Sequence, residues 1–250
     1  MAGSNIKSTD TNPPQSWFAT THWSVVLTAR DGDAPEVRDA LARLCELYWY
    51  PLYAYLRRRG FSPHDAEDLT QSFLAYLLGK DFLARISPEK GKFRSFLLAS
   101  LNHFVSDQRD KEQRQKRGGN QRVLSLDAAS AEARYRLEPV EEADPQRIFE
   151  RRWAFAVVET ALQRLESESV SAGKAALFAG LKSALIGDPG PSTYSELGQS
   201  LGLSEGAVKV AAHRLRRRFR ELFRQEIAQT VSQPDEVEDE IRFLFRVLSR

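Results

Sequence analysis

The residues with the clearest chemical potential are the basic side chains that follow Ser204. Within residues 205–226, seven lysines and arginines outnumber three glutamates, which leaves a net charge of +4. Lysine and arginine bind phosphates, and arginine can also read guanine edges in the major groove of DNA. This pattern predicts DNA contacts from Ser204, Lys209, His213, Arg214, Arg216, Arg217 and Arg220.

The residues around this basic run predict a helix-turn-helix that would position it. Ser192 or Thr193 can cap a short first helix, and Ser204 can cap the second. Gly198 is small where two helices would cross, and Gly202 suits a tight turn with a positive φ. Five apolar positions are expected to be buried between the helices: Leu197, Leu201, Leu203, Val208 and Ala211. The alternative interpretation is an ordinary helical hairpin with a basic exit helix.

A second basic segment lies earlier in the chain. Residues 92–122 hold eight basic and three acidic side chains, a net charge of +5, whereas the following stretch, 123–146, has a net charge of −4. Two basic patches separated by an acidic connector indicate two contacts with one polyanion, and the alternative is that both are solvated helix faces without a ligand. Aromatic and basic side chains between Phe93 and Arg109 form a face that can stack unpaired bases. Phenylalanine at helical spacing also predicts a buried core, and both interpretations remain open.

Hydrophobic periodicity predicts an all-α protein of two small helical domains joined by a flexible linker, with the helix-turn-helix in the second. Helices are expected over about 35–59, 62–79, 92–116, 147–166 and 173–186, and no alternating strand pattern appears. The predicted organisation is a disordered N-terminus (1–16), a first domain (17–119), a linker (120–146), a second domain (147–231) and a C-terminal helical extension (232–250).

Composition argues against several classes of protein. The single cysteine, Cys45, excludes an internal disulfide framework and a cysteine-cluster zinc site, and its apolar surroundings predict a core residue. The four histidines lack metal-ligand spacing, and neither a phosphate loop nor a nucleophile elbow is present. We therefore expect no enzymatic activity, no metal and no cofactor. Because no signal peptide or membrane-length apolar run appears, we expect a cytoplasmic protein without membrane insertion.

Four motifs in order resemble the extracytoplasmic-function group of bacterial sigma factors, within the sigma-70 family. They are Tyr50-Pro51-Leu52-Tyr53, the run Asp65-Ala66-Glu67-Asp68-Leu69-Thr70-Gln71, the segment from Phe96-Leu97 to Asp107, and the helix-turn-helix. The resemblance covers about 35–119 and 150–226. It implies a two-domain initiation factor that binds core RNA polymerase and recognises the −10 and −35 promoter elements.

The resemblance also implies roles for individual residues. The helix matching 65–78 would bind the β′ clamp helices of the polymerase through Asp65, Glu67, Asp68 and Gln71. The helix-turn-helix would read the −35 element and dock on the β flap. The residues that the resemblance implies for contacts with the −10 element are Phe93, Arg94, Asn102, His103, Ser106, Asp107 and Arg109. Promoter DNA and core polymerase are thus the expected partners, with an anti-sigma factor or another regulator as a further candidate.

Two features remain open at this stage. The linker of about 27 residues can extend to roughly 90 Å, which exceeds the roughly 70 Å between two promoter boxes two helical turns apart. The extension carries an apolar stripe of Val237, Ile241, Leu244, Phe245 and Leu248 behind an acidic start. It is expected to form a helix that packs on the second domain or binds a partner, and either to regulate DNA access or to serve as a stabilising cap. The rival to a sigma factor is a helix-turn-helix regulator that does not join polymerase.

Overall fold

The computed structural model describes residues 35–79, 92–114, 128–137, 144–186 and 191–249. All secondary-structure elements in these ranges are helices, which confirms the predicted all-α class. The α-helices are α1 (Pro35–Arg58), α2 (Pro63–Leu77), α3 (Phe93–Arg114), α4 (Ala128–Arg136), α5 (Pro145–Ser171), α6 (Ala175–Ile186), α7 (Pro191–Leu201), α8 (Glu205–Thr230) and α9 (Val237–Leu248). None of these described helices is both long enough and apolar enough to cross a bilayer.

Local signals set the helix boundaries in the N-terminal half. Gly60 adopts a φ of +90° just beyond α1, a conformation that a residue with a side chain rarely takes. The Ser62 hydroxyl then accepts a hydrogen bond from the Asp65 amide at 3.1 Å, and Pro63 occupies the first helical position of α2. The predicted end of α1 and start of α2 are therefore confirmed.

The long helix α5 lies at the centre of the described structure. It packs along α1 and also against α8 and α9. Its buried side chains occur around most of the helix circumference and include Ile148, Phe149, Trp153, Val157 and Leu165. Because α5 is apolar on more than one side, it buries area against helices from both halves of the chain.

The core formed in this way is continuous from α1 to α9. A smaller cluster of Leu181, Tyr194, Val208 and Ala212 lies between α6, α7 and α8. The described residues therefore do not show the predicted division into two separately packed domains. The sequence pattern could not predict a shared core. Helical periodicity shows that one face of a helix is apolar, but it does not show which other helix will pack against that face.

The range predicted as a linker, 120–146, contains helix α4. Ala131 of α4 is buried, and the Glu132 carboxylate accepts hydrogen bonds from Tyr53 Oη at 2.7 Å and from Arg57 Nε at 3.0 Å. The hydrogen bond from Arg57 holds the pKa of the Glu132 carboxyl below its ordinary value. These hydrogen bonds hold residues 128–136 against α1. The prediction of a flexible linker is therefore wrong for residues 128–136. Residues 120–127 and 138–143 lie outside the described ranges.

The C-terminal extension forms helix α9, as its apolar stripe predicts. Val237 and Leu244 are buried, but Phe245 is 60% exposed, so its assignment to the buried stripe is wrong. Before α9, a short 3-10 helix (Pro234–Glu236) is capped by Glu236, whose Oε2 accepts the Ser232 and Gln233 amides at 3.0 Å each.

Cys45 is half-buried on α1, and it packs against the core. Burial raises the pKa of its thiol to about 11. Little thiolate is therefore present at neutral pH, and thiolate is the reactive form. This supports the prediction that Cys45 is a core residue. The predicted disordered N-terminus (1–16) lies outside the described ranges.

Candidate nucleic-acid interface

Helices α7 and α8 are joined by only three residues, 202–204. Gly202 has a φ of +66°, and the Leu203 amide donates to the Gly198 carbonyl at 2.8 Å. The Ser204 hydroxyl accepts from the Ala207 amide at 3.2 Å and so caps α8. These local interactions fix the direction in which α8 leaves the turn, and the turn residues behave as their types predict.

Gly198 lies where the backbone of this turn approaches α7. A Cβ atom at this position would stand 2.7 Å from the Leu203 carbonyl oxygen and 3.5 Å from the Glu205 amide nitrogen. Both are backbone atoms, so neither can move aside as a flexible side chain would. The position therefore requires glycine because of steric contact.

We expect Gly198→Ala to lower the free energy of unfolding by about 1–3 kcal/mol, as overpacking does in well-packed sites. Gly206→Ala is the matched control. A Cβ at Gly206 would meet nothing closer than the Ser204 Oγ at 4.0 Å, so alanine should be neutral or stabilising by about 0.5–1 kcal/mol. Urea unfolding followed by circular dichroism measures both. Equal effects of the two substitutions would contradict the steric argument.

The apolar contacts behind the turn differ in part from those predicted. Val208 is fully buried, whereas Leu197, Leu201 and Ala211 are only partly buried. Leu203 is 41% exposed, so its predicted burial is wrong. The interior is completed instead by Leu181, Tyr194 and Ala212. Leu181 comes from α6, which the local spacing of a helix-turn-helix does not include.

The outward face of α8 carries most of the predicted DNA-binding residues. Those that share this exposure are Lys209, His213, Arg214, Arg217 and Arg220. Arg216 differs because it is partly buried and donates to the Tyr194 hydroxyl at 3.2 Å. Ser204 is exposed, but its hydroxyl serves as the helix cap. The structure thus places five of the seven predicted residues on one exposed stretch of helix.

Sequence reasoning missed Val210, which is 51% exposed on the same face. Val208 and Ala212 define the buried side of α8, and Val210 falls out of phase with them. This phase difference is the signal that could have identified it. An apolar side chain among cations can contact a thymine methyl group in the major groove.

The acidic partners of this face leave its cations accessible. Lys209 pairs with Glu205 at 2.6 Å and Arg217 with Glu221 at 3.2 Å, each four residues apart on an exposed surface. Exposed pairs of this kind contribute less than about 1 kcal/mol, so phosphates can displace them. Arg218 is different. It forms two 2.8 Å hydrogen bonds to Glu168 of α5, and this contact lowers the pKa of the Glu168 carboxyl.

A groove of about 580 Å³ lies beside this face, between α5, α6 and α8. Its lining is mostly apolar and includes Leu177, Ala207 and Val210, and Arg214 and Lys174 also lie among the lining residues. The groove is continuous with the exposed face of α8, because Val210 and Arg214 belong to both.

The residues predicted to bind polymerase lie between positions 65 and 71 of α2. Asp65 is exposed and accepts from the Ser62 hydroxyl at 2.7 Å. Gln71 Nε2 donates to Glu67 Oε1 at 3.0 Å, and Asp68 Oδ2 lies 3.5 Å from His64 Nδ1. All these contacts are made within α2 or its cap. The four predicted residues therefore remain at least partly accessible on one short helix.

The residues predicted to contact the −10 element are divided by the structure. His103, Ser106, Asp107 and Arg109 are exposed on α3, where the Arg109 guanidinium stacks on the Phe61 ring at 4.7 Å. Asn102 is partly buried, and its Oδ1 accepts hydrogen bonds from the Tyr55 hydroxyl and from Arg59 at 2.7 and 2.6 Å. Asn102 therefore links α3 to the end of α1.

Phe93 and Arg94 are buried, which corrects their prediction as DNA contacts in this conformation. Phe93 is fully buried, with its ring 5.5 Å from that of Tyr48. Arg94 is only 5% exposed because its guanidinium pairs with Glu240 of α9. The sequence offered no local signal for this partner, which lies 146 residues away.

No protein-family model, curated protein or solved structure matches this chain. The case for its function therefore depends on the geometry of its own residues. That geometry brings five predicted residues together on α8 and four on α2, and it leaves four exposed on α3.

Proposed function

We propose that this chain is a bacterial sigma factor of the extracytoplasmic-function type, which directs core RNA polymerase to promoters in the cytoplasm. The single observation that carries the proposal is the exposed cationic face of α8, oriented by the turn at Gly198, Gly202 and Ser204. A rigidly capped helix with exposed arginines has the form and charge of a recognition helix for the major groove.

The proposed division of labour assigns duplex recognition to α8. Its cations would neutralise phosphates, which provides affinity that falls steeply with salt, and a few side chains would read base edges of the −35 element. The exposed residues of α3 would contact the −10 element: His103, Ser106, Asp107 and Arg109. Arg94 could join them only after its contact with Glu240 of α9 opens, and Phe93 only after its packing against Tyr48 of α1 opens.

Polymerase binding is assigned to two surfaces. The acidic first half of α2 is proposed to bind the β′ clamp helices, and the region around α7 and α8 to dock on the β flap. The accessibility of Glu67 and Asp68 supports the first assignment. The order of the four sequence motifs supports both, because a regulator that acts without polymerase has no need of the α2 pattern.

A pull-down with core polymerase tests the α2 assignment. Glu67→Lys combined with Asp68→Lys should abolish retention of the chain, because repulsion replaces attraction at the contact. The control is Glu159→Lys with Asp235→Lys, which makes the same change in charge at two exposed positions on other elements. In run-off transcription from a random promoter library, the control variant should initiate RNA synthesis as the wild-type chain does, and the α2 variant should not. Retention of the α2 variant at the wild-type level would overturn the assignment.

A helix-turn-helix regulator that does not join polymerase is the second candidate. It is favoured by the exposed cations of α8, which include Lys209, Arg214 and Arg217, because Arg109 is the one exposed cation among the side chains of α3 that the structure describes. Specific duplex binding without any retention on core polymerase would select this alternative.

A further inference from the structure

The groove between α5, α6 and α8 has the size and the lining of a small-molecule site. Its volume of about 580 Å³ falls within the roughly 300–1,000 Å³ that ligand pockets occupy. Its lining is mostly apolar, and it includes Leu203 and Val210, which are 41% and 51% exposed. A ligand with an apolar body would remove these two side chains from water, which is favourable.

The charged residues of the lining are not all committed to partners within the protein. Lys174 and Arg214 have exposed side chains, and neither forms an ion pair with a carboxylate in the part of the chain that the structure describes. Arg218 differs, because two 2.8 Å hydrogen bonds join it to Glu168, which also lines the groove. The groove therefore combines apolar surface with two positive charges that can pair with a ligand anion.

The two unpaired cations lie on adjoining turns of the helices. The ion pairs that join α5 to α8 are Arg164 with Glu226 and Glu168 with Arg218. Their order shows that α5 and α8 are antiparallel. One turn beyond Glu168 the chain reaches Ala172, and one turn before Arg218 it reaches Arg214; both residues line the groove. Lys174 follows Ala172 by two residues, so both cations lie toward the same end of the groove.

This arrangement defines the chemistry of a fitting ligand. An apolar chain would lie along the uncovered apolar lining, and an anionic head group would lie between Lys174 and Arg214. The fork of an arginine guanidinium binds a carboxylate through two parallel hydrogen bonds. A head group with a single negative charge fits better than a dianion, because the Glu168 carboxylate lies in the same lining.

We propose that this groove binds a small amphipathic carboxylate of the fatty-acid type, and that the bound carboxylate competes with duplex DNA for α8. The site itself is independent of the function proposed above, whereas the competition rests on it, because α8 must then be the recognition helix. Val210 and Arg214 belong both to the groove and to the exposed face of α8. A ligand that covers Val210 and pairs with Arg214 withdraws both from DNA.

Calorimetric titration of the full chain with decanoate tests the site, at concentrations below those at which decanoate forms micelles. We expect saturable binding at one site with a Kd on the order of 100 μM. Acetate, which lacks the apolar chain, and decylammonium, which reverses the charge of the head group, should not bind. Absence of saturable decanoate binding, or equal binding of decylammonium, would overturn the proposal.

Two pairs of variants locate the bound decanoate. Lys174→Gln should raise its Kd about three- to tenfold, because a charge-assisted contact is lost. Lys182→Gln is the matched control, because Lys182 is exposed on α6, pairs with Glu166 and lies outside the lining. Equal effects of these two substitutions would show attraction by net charge and would overturn the site.

The second pair fills the groove without changing its charge. Ala172→Trp should raise the Kd for decanoate at least about tenfold, because its indole ring occupies the apolar space. Ser171→Trp, at the neighbouring exposed position outside the lining, should have no effect. Circular dichroism checks that both variants keep their helical content. If the wild-type chain does not bind decanoate but Ala172→Trp loses retention on core polymerase, the groove is a polymerase contact and the proposal is wrong.

Fluorescence anisotropy with a duplex selected from a random library tests the competition. Saturating decanoate should weaken duplex binding by the wild-type chain about tenfold and leave that of Ala172→Trp unchanged, and bound duplex should weaken decanoate binding by the same factor. Unchanged duplex affinity with decanoate bound would overturn the competition. If the wild-type chain binds no duplex at all, the proposed function fails, and the calorimetry still decides whether the groove binds a carboxylate.

Discussion

Replacing Trp153 with alanine is expected to lower the free energy of unfolding by about 3–5 kcal/mol, as truncation of a large buried aromatic does. Trp153 is fully buried on α5, and its ring also faces the Arg94 guanidinium. Truncation would therefore leave a cavity in the described core and would also remove the ring that faces the ion pair of Arg94 and Glu240.

Chemical denaturation followed by circular dichroism measures this loss. Phe155→Ala is the matched control because Phe155 lies on the same helix but is 41% exposed, so its truncation should cost less than about 1.5 kcal/mol. The continuous core further predicts one cooperative transition for the whole chain. Two transitions, of which Trp153→Ala shifts only one, would show that the halves unfold independently.

Replacing Arg217 with alanine is expected to weaken binding to a specific duplex about 10- to 100-fold, which corresponds to about 1–3 kcal/mol for a base contact. Its side chain is 77% exposed at the centre of the α8 face, between His213 and Arg220, and within the described part of the chain it pairs with Glu221. Loss of a phosphate contact alone would instead reduce the salt dependence by about one counterion without changing sequence preference.

Fluorescence anisotropy with a duplex selected from a random library measures this affinity at several salt concentrations. Arg242→Ala provides the control, since it removes the same charge from an exposed position on α9. If both variants bind equally well, α8 is not the recognition helix. If both weaken equally, the affinity reflects net charge and not a specific surface.

Much of the local structure could be predicted from the sequence. Gly60, Ser62, Gly202 and Ser204 set helix ends through φ preference and side-chain capping, which involve atoms only a few residues away. The exposed face of α8 was also predictable, because a helix repeats every 3.6 residues and Val208 and Ala212 mark its buried side. These features depend on short-range geometry that spacing encodes directly.

The errors share a different cause. Leu203 and Phe245 match apolar patterns but remain exposed, while Ala131 lies in a polar range and is buried. A pattern shows that a side chain is apolar, whereas its burial depends on whether another element covers it. Arg216 likewise matches the basic run but turns to the Tyr194 hydroxyl on α7.

By itself, then, the sequence determined the all-α class, the helix ends at Gly60, Ser62, Gly202 and Ser204, and the cationic face of α8, because capping and periodicity act within a few residues. Only the tertiary structure decided that α5 joins both halves in one core, that Phe93 is buried, and that Arg94 meets Glu240. That pair is separated by 146 residues, and its partners are chosen by the free energy of burying complementary surfaces. The spacing of residues within one segment does not encode which distant residues will pair.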